Sequence, residues 1–129
     1  MKRAKLTALG ETEMEVLQHV WTLGNATVAE VHACIQKSRP LAYTTVMTVM
    51  KNLTEKGFLR CDRSSSTYTY SAKQSAEQVR SGIISDLVRK VFSGSPTALI
   101  QTLVANENLS LAEVEQIREL IDSLGEADE

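Results

Sequence analysis

From Leu41 to Arg60 the chain reads LAYTTVMTVMKNLTEKGFLR. Its apolar residues Val46, Val49, Met50 and Leu53 recur at the i, i+3, i+4, i+7 spacing of one helical face. At about 100° per residue the opposite face carries Thr44, Thr48, Lys51 and Glu55, flanked by Thr45, Met47 and Asn52. The pattern predicts a helix over Tyr43–Lys56 that Gly57 stops, with Phe58-Leu59 opening a strand-like run. An ordinary solvent-facing helix carries mostly Glu and Lys outward. A dry inner face with small hydroxyls outward suits the major groove of DNA, where threonine bonds a base edge or touches a thymine methyl.

Upstream, Glu11 to Leu23 sets Met14, Leu17, Val20 and Trp21 along one side with Val16 beside them, so Trp21 is expected in the core. Glu11, Glu13 and Glu15 complement the dipole of its first turns, Leu9 can pack back as a staple, and Gly24-Asn25 ends it. Thr27-Val-Ala-Glu30 is a capping box opening a second helix to about Lys37, with Val28, Val31 and Ile35 on one side. Ser38-Arg39-Pro40 breaks that helix, because proline disfavours helical geometry in the residue before it. Two helices on so short a connection, the second polar outside, form a helix-turn-helix pattern. Phe58–Arg63 and Thr67–Ser71 then flank Ser64-Ser65-Ser66 as a β-hairpin, which makes the module a winged helix. Tyr68 and Tyr70 alternate with hydroxyl residues, and the face they share is expected to pack on the helical core.

Beyond residue 74 the character changes. Ser75-Ala-Glu-Gln78 is another capping box, followed by Val79, Ile83, Leu87, Val88, Val91 and Phe92 at helical spacing. Ser93-Gly94-Ser95-Pro96 is a break, and about Thr97–Ala105 offers Leu99, Ile100, Leu103 and Val104. Ser110-Leu-Ala-Glu113 starts a last helix whose Val114, Ile117, Ile121 and Leu124 are spaced 3, 4, 3, like a coiled-coil seam. Three helices over some fifty residues make a poor core of their own, so these stripes are expected to close on a second subunit. Packing of all three on the winged helix of the same chain is the alternative. The expected architecture is mainly α with a small β-hairpin: a winged helix-turn-helix in residues 1–73 and a three-helix dimerisation region in 74–129. Its expected seam is Ile83, Leu87, Val91, Leu99, Leu103, Val114, Ile117, Ile121 and Leu124.

Net charge over the 129 residues is only −2, but its distribution is uneven. Residues 1–73 hold ten basic and six acidic side chains, and residues 74–129 hold four and ten. The first part therefore suits an anionic partner and the second does not. Lys2, Arg3 and Lys5 at the start, Lys51, and Arg60 and Arg63 on the hairpin are candidates for phosphate contacts. Cys34 and Cys61 stand far apart without a metal-ligand pattern, which favours two free thiols in a reducing compartment. No apolar run approaches a membrane span and the start does not read as a signal peptide, so the chain reads as cytoplasmic. No metal or other cofactor is expected. A glycine-rich phosphate loop, a paired-carboxylate constellation and a Ser/His/Asp arrangement are all absent from the sequence, which argues against an enzyme.

The segments LGETEMEVLQHVW, TVAEVHACIQ, LAYTTVMTVMKNLTEKGFL and YTYSA resemble the penicillinase-repressor family of bacterial transcriptional regulators, which includes the β-lactamase, methicillin-resistance and copper-responsive repressors. The resemblance spans nearly the whole chain, and TTVMTVMKNLTEKG is its most specific block. It implies an N-terminal winged helix, a C-terminal dimerisation region, and a homodimer that blocks transcription from a palindromic operator of double-stranded DNA. The family's base-contacting positions fall on Thr44, Thr45, Met47 and Thr48, with Tyr43 and Lys51 nearby as phosphate contacts. Thr45 is the more lateral of these, placed to serve a phosphate. Met47 stands where the β-lactam-responsive members carry a basic side chain, so the operator need not be theirs. Those members are induced by a protease that cuts an Asn-Phe bond, where this chain has Thr102-Leu103, which puts an upstream sensor protease in question. The copper-responsive members carry C-terminal cysteine pairs, whereas no cysteine follows Cys61. A winged helix that binds proteins and never touches DNA is the competing reading of the same fold.

Overall fold

Helices α1 (Glu11–Leu23), α2 (Val28–Gln36) and α3 (Tyr43–Glu55) form where the apolar spacing places them, each within about a residue of its expected ends. The structure is a computed structural model and describes residues 9–127, with side chains described through Leu124. Each helix has a local reason to start. At α1 the Glu13 carboxylate accepts from the Gly10 N–H at 2.9 Å. At α2, Thr27 and Glu30 cap each other reciprocally at 3.1 and 2.9 Å. Helix α3 ends at Gly57, where φ of 90° lets the Gly57 N–H reach the Thr54 carbonyl and the Phe58 N–H the Leu53 carbonyl. A side chain at Gly57 would meet open space, so its cost would be purely conformational.

The sheet holds one strand more than the hairpin. Gly24 stops α1, but Asn25 and Ala26 continue as β1 instead of serving as a terminator alone. Strands β2 (Leu59–Asp62) and β3 (Thr69–Ala72) form the hairpin, and the antiparallel order is β1-β3-β2. Tyr70 sits between Ala26 and Cys61 across the two pairings. A two-residue strand is too short to show an alternation in the sequence. The tyrosine expectation needs a correction. Tyr70 is buried, but Tyr68 precedes β3, at the hairpin tip, and is 46% exposed. The shared face assumed for the two requires an extended run from 67, and the chain is still turning there.

The winged-helix core draws three wholly buried residues from each of α1 (Val16, Leu17, Val20) and α3 (Val46, Met50, Leu53). Val28, Val31 and Ile35 of α2 join them, with Ala26, Leu59 and Tyr70 from the sheet and Val79 from the next helix. Trp21 packs at the edge of this core as expected, and its indole N–H donates to the Gln74 carbonyl at 2.9 Å. The Gln74 amide in turn donates to the Gly57 carbonyl at 3.1 Å, so one residue ties the exit of the hairpin to α1 and to the end of α3.

Downstream lie α4 (Ala76–Val91), α5 (Pro96–Asn106) and α6 (Leu111–Ala127). Ser75 with Gln78, Ser95 alone, and Ser110 with Glu113 cap their N-termini, and Pro96 takes the first helical position of α5. The chain divides into two compact units, Met1–Leu87 and Val88–Glu129, and the division falls inside α4. Helix α5 and the described side chains of α6 include no fully buried residue.

Leu53→Ala should cost about 2–5 kcal/mol of unfolding free energy, the range for a cavity in a closed core. Thr48→Ala on the same helix should stay within about 0.5 kcal/mol. Urea unfolding of both variants at matched protein concentration checks the contrast.

Candidate nucleic-acid interface

Because Val46, Met50 and Leu53 point wholly inward, the other side of α3 is committed to solvent. Thr44, Thr45, Thr48 and Lys51 are exposed there, with Met47 at 43% and Tyr43 at 46% exposure. Val49 is half-buried against the core, as its place on the stripe requires. Among the described residues no carboxylate pairs with Lys51, Arg60 or Arg63. The ridge thus offers three threonine hydroxyls, the Tyr43 phenol, a thioether and an ammonium group along about two and a half turns.

Both flanks of α3 are anchored to α1 by ion pairs that the sequence reading did not include. Lys56, the residue capping α3, meets Glu13 at 2.8 Å, and Arg39, in the turn before α3, meets Glu15 at 2.8 Å and Thr12 at 3.2 Å. The hydrogen bond that Arg39 donates to Glu15, and then the charge of Glu15, raise the guanidinium above its ordinary value. These acidic side chains had been assigned only to the helix dipole. Their partners lie 24 and 43 residues away, beyond any local spacing rule.

On the wing, β2 alternates as a half-buried strand should. Leu59 and Cys61 face the core, while Arg60 and Asp62 face out. Arg63 lies over the Tyr68 ring at 5.5 Å, a cation–π contact at the tip. Ser64 donates to Asp62 through its backbone N–H at 2.9 Å, and the Ser65 hydroxyl donates to the Thr67 carbonyl at 2.8 Å. Hydrogen bonds from the Ser64 side chain and backbone hold the Asp62 carboxyl below its ordinary 3.8. Burial, followed by a hydrogen bond with Cys61, pushes the Tyr70 hydroxyl up. Cys34 and Cys61 are both free and half-buried.

Three of the candidate phosphate contacts, Lys2, Arg3 and Lys5, lie outside the described residues. Of the expected seam, Ile83 is half-buried against the winged-helix core, and Leu87, Leu99, Val114 and Ile117 are half-buried. Val91, Leu103, Ile121 and Leu124 are exposed, Leu124 by 68%. Ile84, Ile100, Val104, Leu111 and Leu120 are exposed as well. Leu120 falls beside Leu124 on the helix but outside the 3, 4, 3 spacing, so a seam template passes over it. Among the described residues no helix is long and apolar enough to cross a membrane.

Comparison with known proteins decides the family. The penicillinase repressor family model matches residues 9–123. The transcriptional regulator BlaI of Mycobacterium tuberculosis is 32% identical over 123 residues, covering 94% of this chain and 88% of its own. The chain belongs to the penicillinase repressor family. The penicillinase repressor of Staphylococcus aureus is 21% identical over 120 residues, covering 93% of this chain and 95% of its own. In fold, the solved structure of hsRosR-S4 matches with a TM-score of 0.55 at 12% identity, covering 98% of both chains. As a member of the penicillinase repressor family the chain is a DNA-binding transcriptional repressor, not an enzyme. That outcome leaves the protein-only winged helix without support.

The Asp62 turn gives the wing a pH signature. A carboxyl held below its ordinary value contributes order that is present above 3.8 and lost as pH falls through the lower folded value. The Ser64 amide resonance should therefore titrate with an apparent pKa below 3.8, and Asp62→Ala should abolish the transition. Proton NMR from pH 6 downward reads both (a range of about four units).

Proposed function

We propose that this penicillinase-repressor family member acts as a homodimer on a palindromic operator, each subunit laying α3 in a major groove. The observation that carries the reading is the exposed ridge of Thr44, Thr48 and Lys51, held outward by the fully buried Val46, Met50 and Leu53 on the opposite face. Thr44, Thr48 and Met47 read bases, Met47 by apolar contact, and Thr45 serves a base or a phosphate at the flank. Tyr43 and Lys51 bind phosphate beside them, Arg60 and Arg63 bind it from the wing, and Lys2, Arg3 and Lys5 add charge from the start of the chain. Residues 1–73 do the reading and 74–129 assemble the dimer, in keeping with the basic and acidic halves of the sequence. The site of action is the cytoplasm, where two free thiols are stable.

These roles separate by experiment. Thr48→Ala should weaken binding to the selected operator by about 1–3 kcal/mol and leave scrambled duplex nearly unchanged. Lys51→Ala should weaken both alike and reduce the salt slope by about 1. Fluorescence anisotropy across a salt series, on duplex selected from a random pool by the wild-type protein, measures these. Equal losses from both variants would remove the assignment.

The exposed stripe of α6 is the proposed seam. Ile121→Glu combined with Leu124→Glu should convert the dimer to monomer in analytical ultracentrifugation. Operator affinity should then fall about a hundredfold or more, as two half-sites cease to be engaged together. A variant that remains dimeric would exclude this stripe from the interface.

A further inference from the structure

Helix α2 grips the peptide groups of Leu41 from two positions one turn apart. His32 Nε2 lies 2.7 Å from the Leu41 carbonyl oxygen, and the Leu41 N–H donates to Gln36 Oε1 at 2.8 Å. A carbonyl only accepts, so the imidazole donates and carries its proton on Nε2. His32 and Gln36 are spaced i, i+4 and therefore share one face of α2. Leu41 follows Pro40, which has no N–H to give, and precedes α3 by two residues. Backbone hydrogen bonds run up to the Arg39 N–H and resume with Thr45 to Ala42, and among the described residues none involves Leu41. The two side chains of α2 supply what the backbone does not.

A third contact extends the grip into α3 itself. The His32 ring meets the Tyr43 ring edge-on, with centroids 5.6 Å apart and planes at 77°. Tyr43 is the first residue of α3 and half-exposed beside Thr44. Neither His32 nor Leu41 is fully buried, so water can replace the lost hydrogen bonds when the clamp is removed. Folding should tolerate the loss. The angle of α3 should not, because contacts to base edges depend on placement to within an ångström or so.

We propose that His32 and Gln36 are positioning residues for DNA recognition, fixing the start of α3 through the Leu41 peptide and the Tyr43 ring. The proposal rests on α3 being the helix that reads DNA. His32→Leu and Gln36→Leu should each weaken binding to the selected operator roughly fivefold. The slope of affinity against salt should not change, since no Lys or Arg that neutralises a phosphate is removed, and the thermal midpoint should stay near the wild-type value. His32→Gln should restore most of the affinity, because its amide nitrogen can donate to the same carbonyl.

The probe is the duplex selected by the wild-type protein, with a scrambled duplex beside it. Unchanged operator affinity in both leucine variants would overturn the proposal. So would a loss that follows the thermal midpoint, one that His32→Gln fails to restore, or a slope lowered by about one, which marks a direct phosphate contact. Failure of the wild-type protein to prefer operator over scrambled duplex would instead remove the DNA-reading role of α3, and the clamp's purpose with it.

Discussion

Val46, Met50 and Leu53 must all be dry at once, and that requirement sets the rotational phase of α3. A slip of one residue turns the helix by about 100° and would bring buried methyls into water, at roughly 1.5–3 kcal/mol for each large apolar side chain. The threonine ridge is the geometric complement of that stripe, so its exposure follows from packing on the far side. Translation and tilt need further restraints, and the structure supplies them at both ends. Gly57 and Gln74 fix where α3 stops, His32 and Gln36 fix the residue from which it departs, and ion pairs from Glu13 and Glu15 hold its flanks. Such surface pairs add little to stability, but they restrict which way the adjoining segment can lean.

The two units handle their apolar residues differently. The winged helix closes its own core with contributions from three helices, a three-stranded sheet and Val79 of α4. Among its described residues Val88–Glu129 has amphipathic helices with nothing wholly covered, although α6 opens with a reciprocal cap like that of α2 and Ser95 caps α5. Caps decide where a helix starts, whereas burial decides whether it is stable, and an isolated helix of this length is marginal in water. Well-capped helices with exposed Leu, Ile and Val leave apolar surface on which the proposed second subunit could close. The excess of acid in that half makes it a poor surface for phosphate, in contrast to the basic first part of the sequence.

Much of this was legible in the sequence because the signals are local. The spacing of Val46, Met50 and Leu53, the Thr27–Glu30 box and the Gly57 stop each lie within one turn or one helix, and each appears where expected. What escaped was set by distance or by shortness. Strand β1 has two residues and no periodicity, and Tyr68 left the core face because the hairpin tip was still turning. Lys56 with Glu13, Arg39 with Glu15, and Trp21 with Gln74 join residues 24 to 53 positions apart. No pattern in one sequence announces them. The His32–Leu41–Gln36 clamp also escaped, although His32 and Gln36 stand i, i+4 on the helix that precedes the Pro-containing turn. A histidine outside a metal-ligand motif carries no local signal of what its ring will hold.

A ridge built mostly of threonine gives a physical reason for the proposed pairing of two subunits. One well-formed base contact discriminates by about 1–3 kcal/mol, and a single hydroxyl sits at the low end of what a bidentate Arg or Asn achieves. In the proposed role Met47 would add only apolar contact, where a charged donor would add more. One half-site read in this way is too weak to stand out from the large excess of competing sequence in a genome. Joining two copies converts the second engagement into an intramolecular step, and avidity can then exceed either half by about 10²–10⁴. On the proposed reading, the uncovered stripe on α6 would supply by pairing what the modest chemistry of α3 lacks. Such a dimer can be released by anything that loosens the joint, with no change at the threonines.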